Sequence, residues 1–543
     1  MAGGGLAGLD YAVSGALVAL MVFVGWRMSR SASDGTGGFF LGGRRVPAWA
    51  ACLSFVAAEI SAMTIVGVPA DSYRSNWNYA QFFIGSALAR VVVAFVFIPA
   101  FFSANCTTIY EFLRDRFGAP TQYGATGLFF ATRLLASGVR LYLASLAVAT
   151  IMGWGLAPTV LAFTIVPILF MGFGGMRAAI WTGVVQAVVF LAGGLAVLAF
   201  LHLSLDGGIA AAFASAFPVG PEAAARASAS AIPAAQAVFA AAAESGSRAP
   251  YFFNLAWNPG PYEPGGAMAF LHGVFGSSAA LWTGVIAGFF TSLASFGTDQ
   301  ENAQRLLCVE TRRQSQRMIL WTIVAGGAVL LVYLAVGSGL AAYYLANAAA
   351  TLPEKTDNVF PHFIATVLPA GLKGLLLGAI VLASIDSPLV SLSTSAVTDL
   401  YRPLVRRGAD EAHYVRVSRF AVAGFGAVLG ALAMFFSGFD GALWVGFKIG
   451  GVTFGSLLGV FLVGILWKGR AGDAALWAMG ANTAAMAALL WLIETKVLWL
   501  SWAWLPVLGT VCTAGLTLAL AGLRAPAPRA AAPAPEAAGS QPA

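Results

Sequence analysis

The sequence predicts an all-α polytopic membrane protein with about thirteen transmembrane helices. Three observations carry that expectation. Of its 543 residues, 59% are hydrophobic and only 10% charged, against roughly 25% charged in soluble domains, and the mean hydropathy is +0.80. Apolar runs long enough to cross a bilayer, about 20 residues each, recur along the chain. Arginine and lysine gather in every second connection between those runs, the bias that orients membrane proteins.

The apolar windows fall near 8–28, 47–70, 79–102, 122–152, 156–174, 177–203, 268–297, 317–345, 362–400, 415–436, 441–467, 473–493 and 499–522. Two of them, 122–152 and 362–400, exceed a simple span and imply tilt, a break or a flanking helix. Arg27, Arg30, Arg44 and Arg45 follow the first span, and Arg114 and Arg116 the third. Arg177, Arg305, Arg312, Arg313, Arg317, Arg402, Arg406, Arg407, Lys468 and Arg470 fall on the same side. The alternate connections hold scattered basic residues such as Arg74, Arg226, Arg248, Lys355 and Lys496. One orientation satisfies all of them: N-terminus outside and C-terminus cytoplasmic, in the cell's inner (plasma) membrane. The net charge of +7 then reflects topology and not a nucleic-acid partner; the partners expected are membrane lipid and a small solute.

The first 30 residues do not read as a cleaved signal, because Asp10 leads and the basic residues follow the apolar run. Cys52 and Cys512 lie in apolar spans, Cys106 and Cys308 in basic connections, so no disulfide framework is implied. Residues 204–267 form the one long external connection, Ala/Ser-rich at first, then aromatic in YFFNLAWNPGPYEP at 251–264, an interfacial lid element. The Ala/Pro stretch that closes the chain, 523–543, is expected to be disordered.

Four stretches combine polar groups with small residues at membrane depth. LSFVAAEISAMTIVGVPADSYRS at 53–75 carries Glu59, and a carboxylate there costs about 2.5–3.5 kcal/mol even on a lenient scale. Gly67 and Pro69 beside it suggest a discontinuous helix facing a polar cavity; the plainer alternative is a structural Glu paired with a neighbouring helix. SFGTDQENAQRLLCVETRRQSQR at 295–317 carries Asp299, Gln300 and Glu301. LLLGAIVLASIDSPLVSLSTSAVTDLYR at 375–402 lines Ser384, Ser387, Ser391 and Ser395 on one stripe, with Asp386 adjacent. Close helix packing explains small hydroxylated residues, but a carboxylate among hydroxyls also suits a hard cation or a proton. In LWVGFKIGGVTFGSLLGVF at 443–461, Lys448 needs a carboxylate such as Glu59 or Asp386, an anionic ligand, or a path to the interface.

No catalytic constellation is visible, and the chain is not expected to be an enzyme. His202, His272, His362 and His413 are scattered without ligand spacing, and no GxxxxGK[ST] phosphate loop is present. GFGG at 172–175 reads as a turn at the membrane edge.

GTDQENAQRLL at 297–307 resembles the signature of the sodium:solute symporter family, which includes sodium–glucose, proline, pantothenate and iodide/monocarboxylate cotransporters. The resemblance continues through AAEISAMTIVGVPADSYR (57–74), TTIYEFLRDRFG (107–118), GGMRAAIWTGVVQAV (174–188), LASIDSPLVSLSTSAVTDLY (382–401) and FKIGGVTFGSLLGVFLVG (447–464). GVPADSYR resembles the iodide/monocarboxylate/vitamin branch more than the sugar branch.

The resemblance implies a leucine-transporter-like core of two inverted five-helix repeats with broken first helices, at 47–203 and 268–467. An extra span with its loop precedes them at 1–46, and peripheral spans follow at 468–522. It also implies a sodium ion between the first and eighth core helices, held by carbonyls of Ala57, Ile60 and Ile380 and by hydroxyls at 383 and 384. Here 384 is Ser but 383 is Ala. Members with a second ion use residues matching 383, 386 and 387 plus an Asp that here is Gly183, so a second ion would rest on Asp386 and Ser387. The solute is expected beside Glu59 and Ser61, with Asp299, Gln300 and Lys448 as further candidates. The function implied is sodium-coupled import of a small organic solute, an organic anion or another small metabolite, by alternating access. Proton coupling through Glu59 or Asp386, and a non-transporting sensor or scaffold, remain as alternatives.

Overall fold

A computed structural model describes residues 6–29, 35–60, 62–74, 77–205, 208, 275–276, 281–347, 352–353, 358–385, 388–438, 442–469 and 471–523. Every regular element among them is helical. The expected external connection at 204–267 and the tail at 523–543 lie almost wholly outside the described residues.

Helix α1 (Gly8–Ser29) leads to the short α2 (Gly35–Leu41). The second expected span is two helices, α3 (Ala48–Glu59) and α4 (Ala62–Arg74), bent by 57°. Helix α5 (Asn78–Val92) continues through a π-helical segment, Val93–Phe97, into α6 (Ile98–Ala104). The amphipathic α7 (Ile109–Phe117) starts at a capping box of Thr108 and Glu111, which satisfies backbone N–H groups that a helix start leaves unpaired. Next come the long α8 (Ala119–Met152) and α9 (Leu156–Ser204). Gly175 interrupts α9 at φ +53°, where a side chain would also run into the Phe39 backbone. The expected turn at 172–175 is therefore the corner between two spans.

After the undescribed connection, α10 (Leu281–Thr298) ends at Asp299 and α11 (Gln300–Leu307) begins. Helix α12 (Arg312–Ala346) and the short α13 (Val359–Thr366) follow. The expected span at 362–400 is interrupted: α14 (Leu372–Ile385) and α15 (Leu389–Ser395) flank Pro388, and a π-helical segment, Ala396–Val405, completes it. Helices α16 (Glu411–Phe436), α17 (Ala442–Leu466), α18 (Ala474–Glu494) and α19 (Leu505–Leu523) close the chain. Among the described residues ten helices are long and apolar enough to cross a membrane, an eleventh if α3 and α4 count as one span. Two shorter apolar helices, Leu156–Leu169 and Leu372–Ala383, occupy the places of the fifth and ninth expected spans.

Packing gathers α3, α4, α5, α10 and α12 into one bundle, while α8, α9, α14 and α16 pack on its other side. The α5–α10 contact is backbone to backbone: a Cβ at Gly85 would meet the backbone at Val285, and one at Gly288 the backbone at Phe82. Glycine is required there because only it lets two helices approach so closely. The peripheral α1 packs on α9 and α14. Its buried Asp10 accepts hydrogen bonds from the backbone N–H of Gly371 (2.7 Å) and Gly374 (3.0 Å). One carboxylate thus caps the N-terminus of a helix from another span, satisfying donors that the helix start leaves unpaired.

Candidate functional site

The site begins where α3 stops. Its helical geometry ends at Glu59, and Ile60 is extended at φ −82°, ψ 94°. A helix end leaves its last carbonyls without continuing intrahelical partners; at this one the Ile60 N–H still donates to the Val56 carbonyl at 2.9 Å. Pro69, expected to contribute to the break, instead sits within continuous α4. The close pass of α12 stabilises that helix: Ser72 donates to the Leu334 carbonyl at 2.8 Å, and a Cβ at Gly337 would strike the Pro69 backbone.

Glu59 forms an ion pair with Arg90 of α5. The arginine is fully buried, while the Glu59 side chain remains 25% exposed. Arg90 also donates to Ser86 (2.7 Å) and to Thr322 of α12 (3.1 Å). Its guanidinium lies 4.6 Å from the Phe296 ring centroid and 5.2 Å from that of Phe83, so two aromatic faces join the carboxylate in stabilising the buried cation. Four helices of the bundle meet at this one pair. The structure thus supplies the neighbouring-helix partner weighed above for Glu59, and that partner is Arg90 rather than Lys448.

A second charged cluster surrounds the α10–α11 break. Asp299 caps α11 by accepting from the Glu301 N–H at 2.9 Å. Arg133 of α8 pairs with Glu301 and lies 3.5 Å from Asp299. Arg305 pairs with Glu301 at 3.2 Å and donates to Ser54 of α3 at 3.2 Å. Gln300 is fully buried; it accepts from the Ile109 N–H (2.9 Å) and donates to the Thr107 carbonyl (3.2 Å), tying α11 to the entry of α7. Asp299 and Gln300 are therefore engaged within the protein. Lys448 pairs with Glu494 at 2.6 Å, with both side chains partly exposed, where α17 meets the end of α18. Glu59, Asp299, Gln300 and Lys448 each have a different partner.

For the expected ion site, Ala57, Ile60, Ile380 and Ala383 are all buried. Gln186 of α9 donates to the Leu382 carbonyl at 2.7 Å, fixing the end of α14 against the fifth core helix. Gly183, one turn earlier, packs on α3: a Cβ there would lie 2.6 Å from Ser54 Oγ and 2.9 Å from its Cβ. The position where the resemblance leads one to expect an Asp in two-ion members is filled here by the neighbouring helix itself. Ser61, Asp386, Ser387 and the Ser384 side chain lie outside the described residues.

Arg90 and Arg133 escape a reading that searches apolar spans for carboxylates and hydroxyls. The signal is nonetheless present: an arginine inside an apolar run, with Ser86 one turn before Arg90.

The sequence model of the sodium:solute symporter family matches residues 39–481. The chain is 26% identical over 500 residues to the sodium/sialic acid symporter SiaT of Proteus mirabilis, covering 88% of this chain and 89% of that protein. It is 25% identical over 466 residues to human sodium-coupled monocarboxylate transporter 1, covering 84% and 69%. Its fold matches a solved substrate-bound, outward-open Na+-coupled sialic acid symporter with a TM-score of 0.78 at 24% identity, covering 96% of this chain and 99% of that one.

Proposed function

The chain belongs to the sodium:solute symporter family and couples sodium to a small organic solute, and we propose that this solute is an organic anion imported from outside. The observation that carries the reading is the bent α3–α4 span, whose first helix ends beside a carboxylate already neutralised by Arg90. Interrupted helices of this kind frame substrate and ion sites in transporters built from inverted repeats. With Glu59 paired to Arg90, that carboxylate is less available to a cationic solute. Arg140 of α8 is half-buried and within electrostatic reach of both Tyr79 and Asp299. The carboxylate character of sialic acid and monocarboxylates, carried by the relatives, supports the same class.

In this reading the repeats are 47–203 and 268–467, the N-terminus faces outside and the arginine-rich face is cytoplasmic. Sodium lies between Ala57 and Ile60 of the first core helix and Ile380, Ala383 and Ser384 of the eighth. By joining those helices it favours the outward-facing arrangement, a population shift set by its differential affinity for the two states. Ser61 and the exposed edge of Glu59 line the solute position, and Asp386 with Ser387 is the place for any second cation. The test is uptake of radiolabelled monocarboxylates and sialic acid into proteoliposomes, in competition with neutral sugars and cationic amines. Uptake of the labelled carboxylates that sugars and amines leave unaffected supports the proposal; no carboxylate uptake, or uptake that the amines or sugars abolish, overturns it.

A further inference from the structure

A cavity of about 450 Å³ opens between α2, α7, the π-helical segment after α15 and the start of α16. Three arginines line it: Arg114 from α7, Arg402 from the π-helical segment Ala396–Val405, and Arg407 from the bend just after it. Topological charge bias accounts for the side of the membrane on which they lie, but not for their convergence from separate elements on one cavity.

Their partners leave the cavity electropositive. Arg402 stacks on the Tyr414 ring, 5.0 Å from its centroid, and Arg407 donates from Nε to the Pro403 carbonyl at 2.8 Å. Among the described residues neither has a carboxylate within ion-pair distance. Arg114 has Asp115 at 3.6 Å, both well exposed. The one acidic residue of the lining, Glu111, already accepts from the backbone N–H groups of Thr107 (2.6 Å) and Thr108 (3.1 Å). Glu411, nearby, is held by the Thr36 N–H at 3.0 Å and the Thr36 hydroxyl at 2.5 Å and lies within electrostatic reach of Arg402, leaving Arg407 and Arg114 as the less compensated cations of the lining.

We propose that this cavity binds a phosphate group, supplied by an anionic phospholipid headgroup or by a soluble phosphate. Guanidinium forks match phosphate oxygens in pairs, and basic pockets between spans on the cytoplasmic side suit anionic headgroups. The physiological setting rests on the orientation proposed above; the binding chemistry does not. A phosphate held there would bridge α7 to the end of the eighth core helix.

The test uses the purified full chain in detergent, so a wrong orientation would not disturb its outcome. Thermal stability is followed while adding phosphatidylglycerol or phosphatidylcholine, and separately inorganic phosphate or chloride at matched ionic strength. Stabilisation is expected from phosphatidylglycerol over phosphatidylcholine, or from phosphate over chloride, and the arm that responds identifies the source. The R402Q/R407Q variant should bind about thirtyfold more weakly, the loss of two basic contacts at a membrane surface, while R312Q, outside the cavity, should bind normally. R114Q provides an independent reduction should the double variant fold poorly. No preference for either anion, or equal weakening by R312Q and R402Q/R407Q, would overturn the site.

Discussion

At the scale of single residues, the Glu59–Arg90 pair decides how a substitution is read. Removing one partner of a buried pair costs about 3–5 kcal/mol because the other charge is stranded, and the 25% exposure of Glu59 places this case at the low end. Glu59→Gln alone should therefore reduce membrane abundance as well as transport. E59Q combined with R90M removes both charges and should restore abundance. Transport that remains lost in the abundant double variant assigns the pair a role in transport; transport restored with abundance makes it structural. Gly183 shows a different limit of sequence reading. The sequence shows only that an expected carboxylate is missing there; the structure shows what occupies the space, Ser54 against its Cα. Gly183→Ala should destabilise by about 1–3 kcal/mol through overpacking, and Ser54→Gly in the same chain should recover part of that loss. Additive losses in thermal stability would contradict the contact. Such a contact joins residues far apart in the chain, and no local pattern announces it.

Among elements, the breaks were legible in kind and less so in place. A carboxylate among small residues points to an interrupted helix, and α3–α4 is bent beside Glu59, whereas Asp299 caps the short α11 where the α10 span ends. Gly67 and Pro69 suggest a later break than the one at Ile60, because proline disrupts a helix only where no neighbour compensates; here α12 packs across it. Pro388 does mark an interruption, between α14 and α15. The π-helical segments Val93–Phe97 and Ala396–Val405 carry no pattern in the sequence. Asp10 read only as evidence against a signal peptide; its role depends on α14, some 360 residues away. Asp10→Ala strips the cap from α14 and should cost about 0.5–2 kcal/mol, lowering the unfolding temperature, with Asp10→Asn milder because an amide oxygen still accepts. Equal effects of the two variants would mean that the hydrogen bonds to Gly371 and Gly374 contribute nothing.

For the whole molecule, composition and spacing were sufficient for class and span order, because a bilayer imposes one length on every crossing helix. Ion pairing was not legible at that scale, since Arg133, Glu301 and Arg305 come together only after α8 and α11 have packed. The proposed ion site predicts that Ser384→Ala, which removes the hydroxyl left beside Ala383, raises the sodium concentration for half-maximal uptake severalfold while abundance stays near that of the parent. An unchanged sodium dependence would move the ion elsewhere. The most direct test of sodium coupling is uptake of a labelled carboxylate solute into proteoliposomes under an inward sodium gradient, compared with an equal potassium gradient at fixed pH and membrane potential. Sodium coupling predicts transient accumulation above equilibrium with sodium and none with potassium. Equal accumulation under both ions, or accumulation driven by a proton gradient in the absence of sodium, would contradict it.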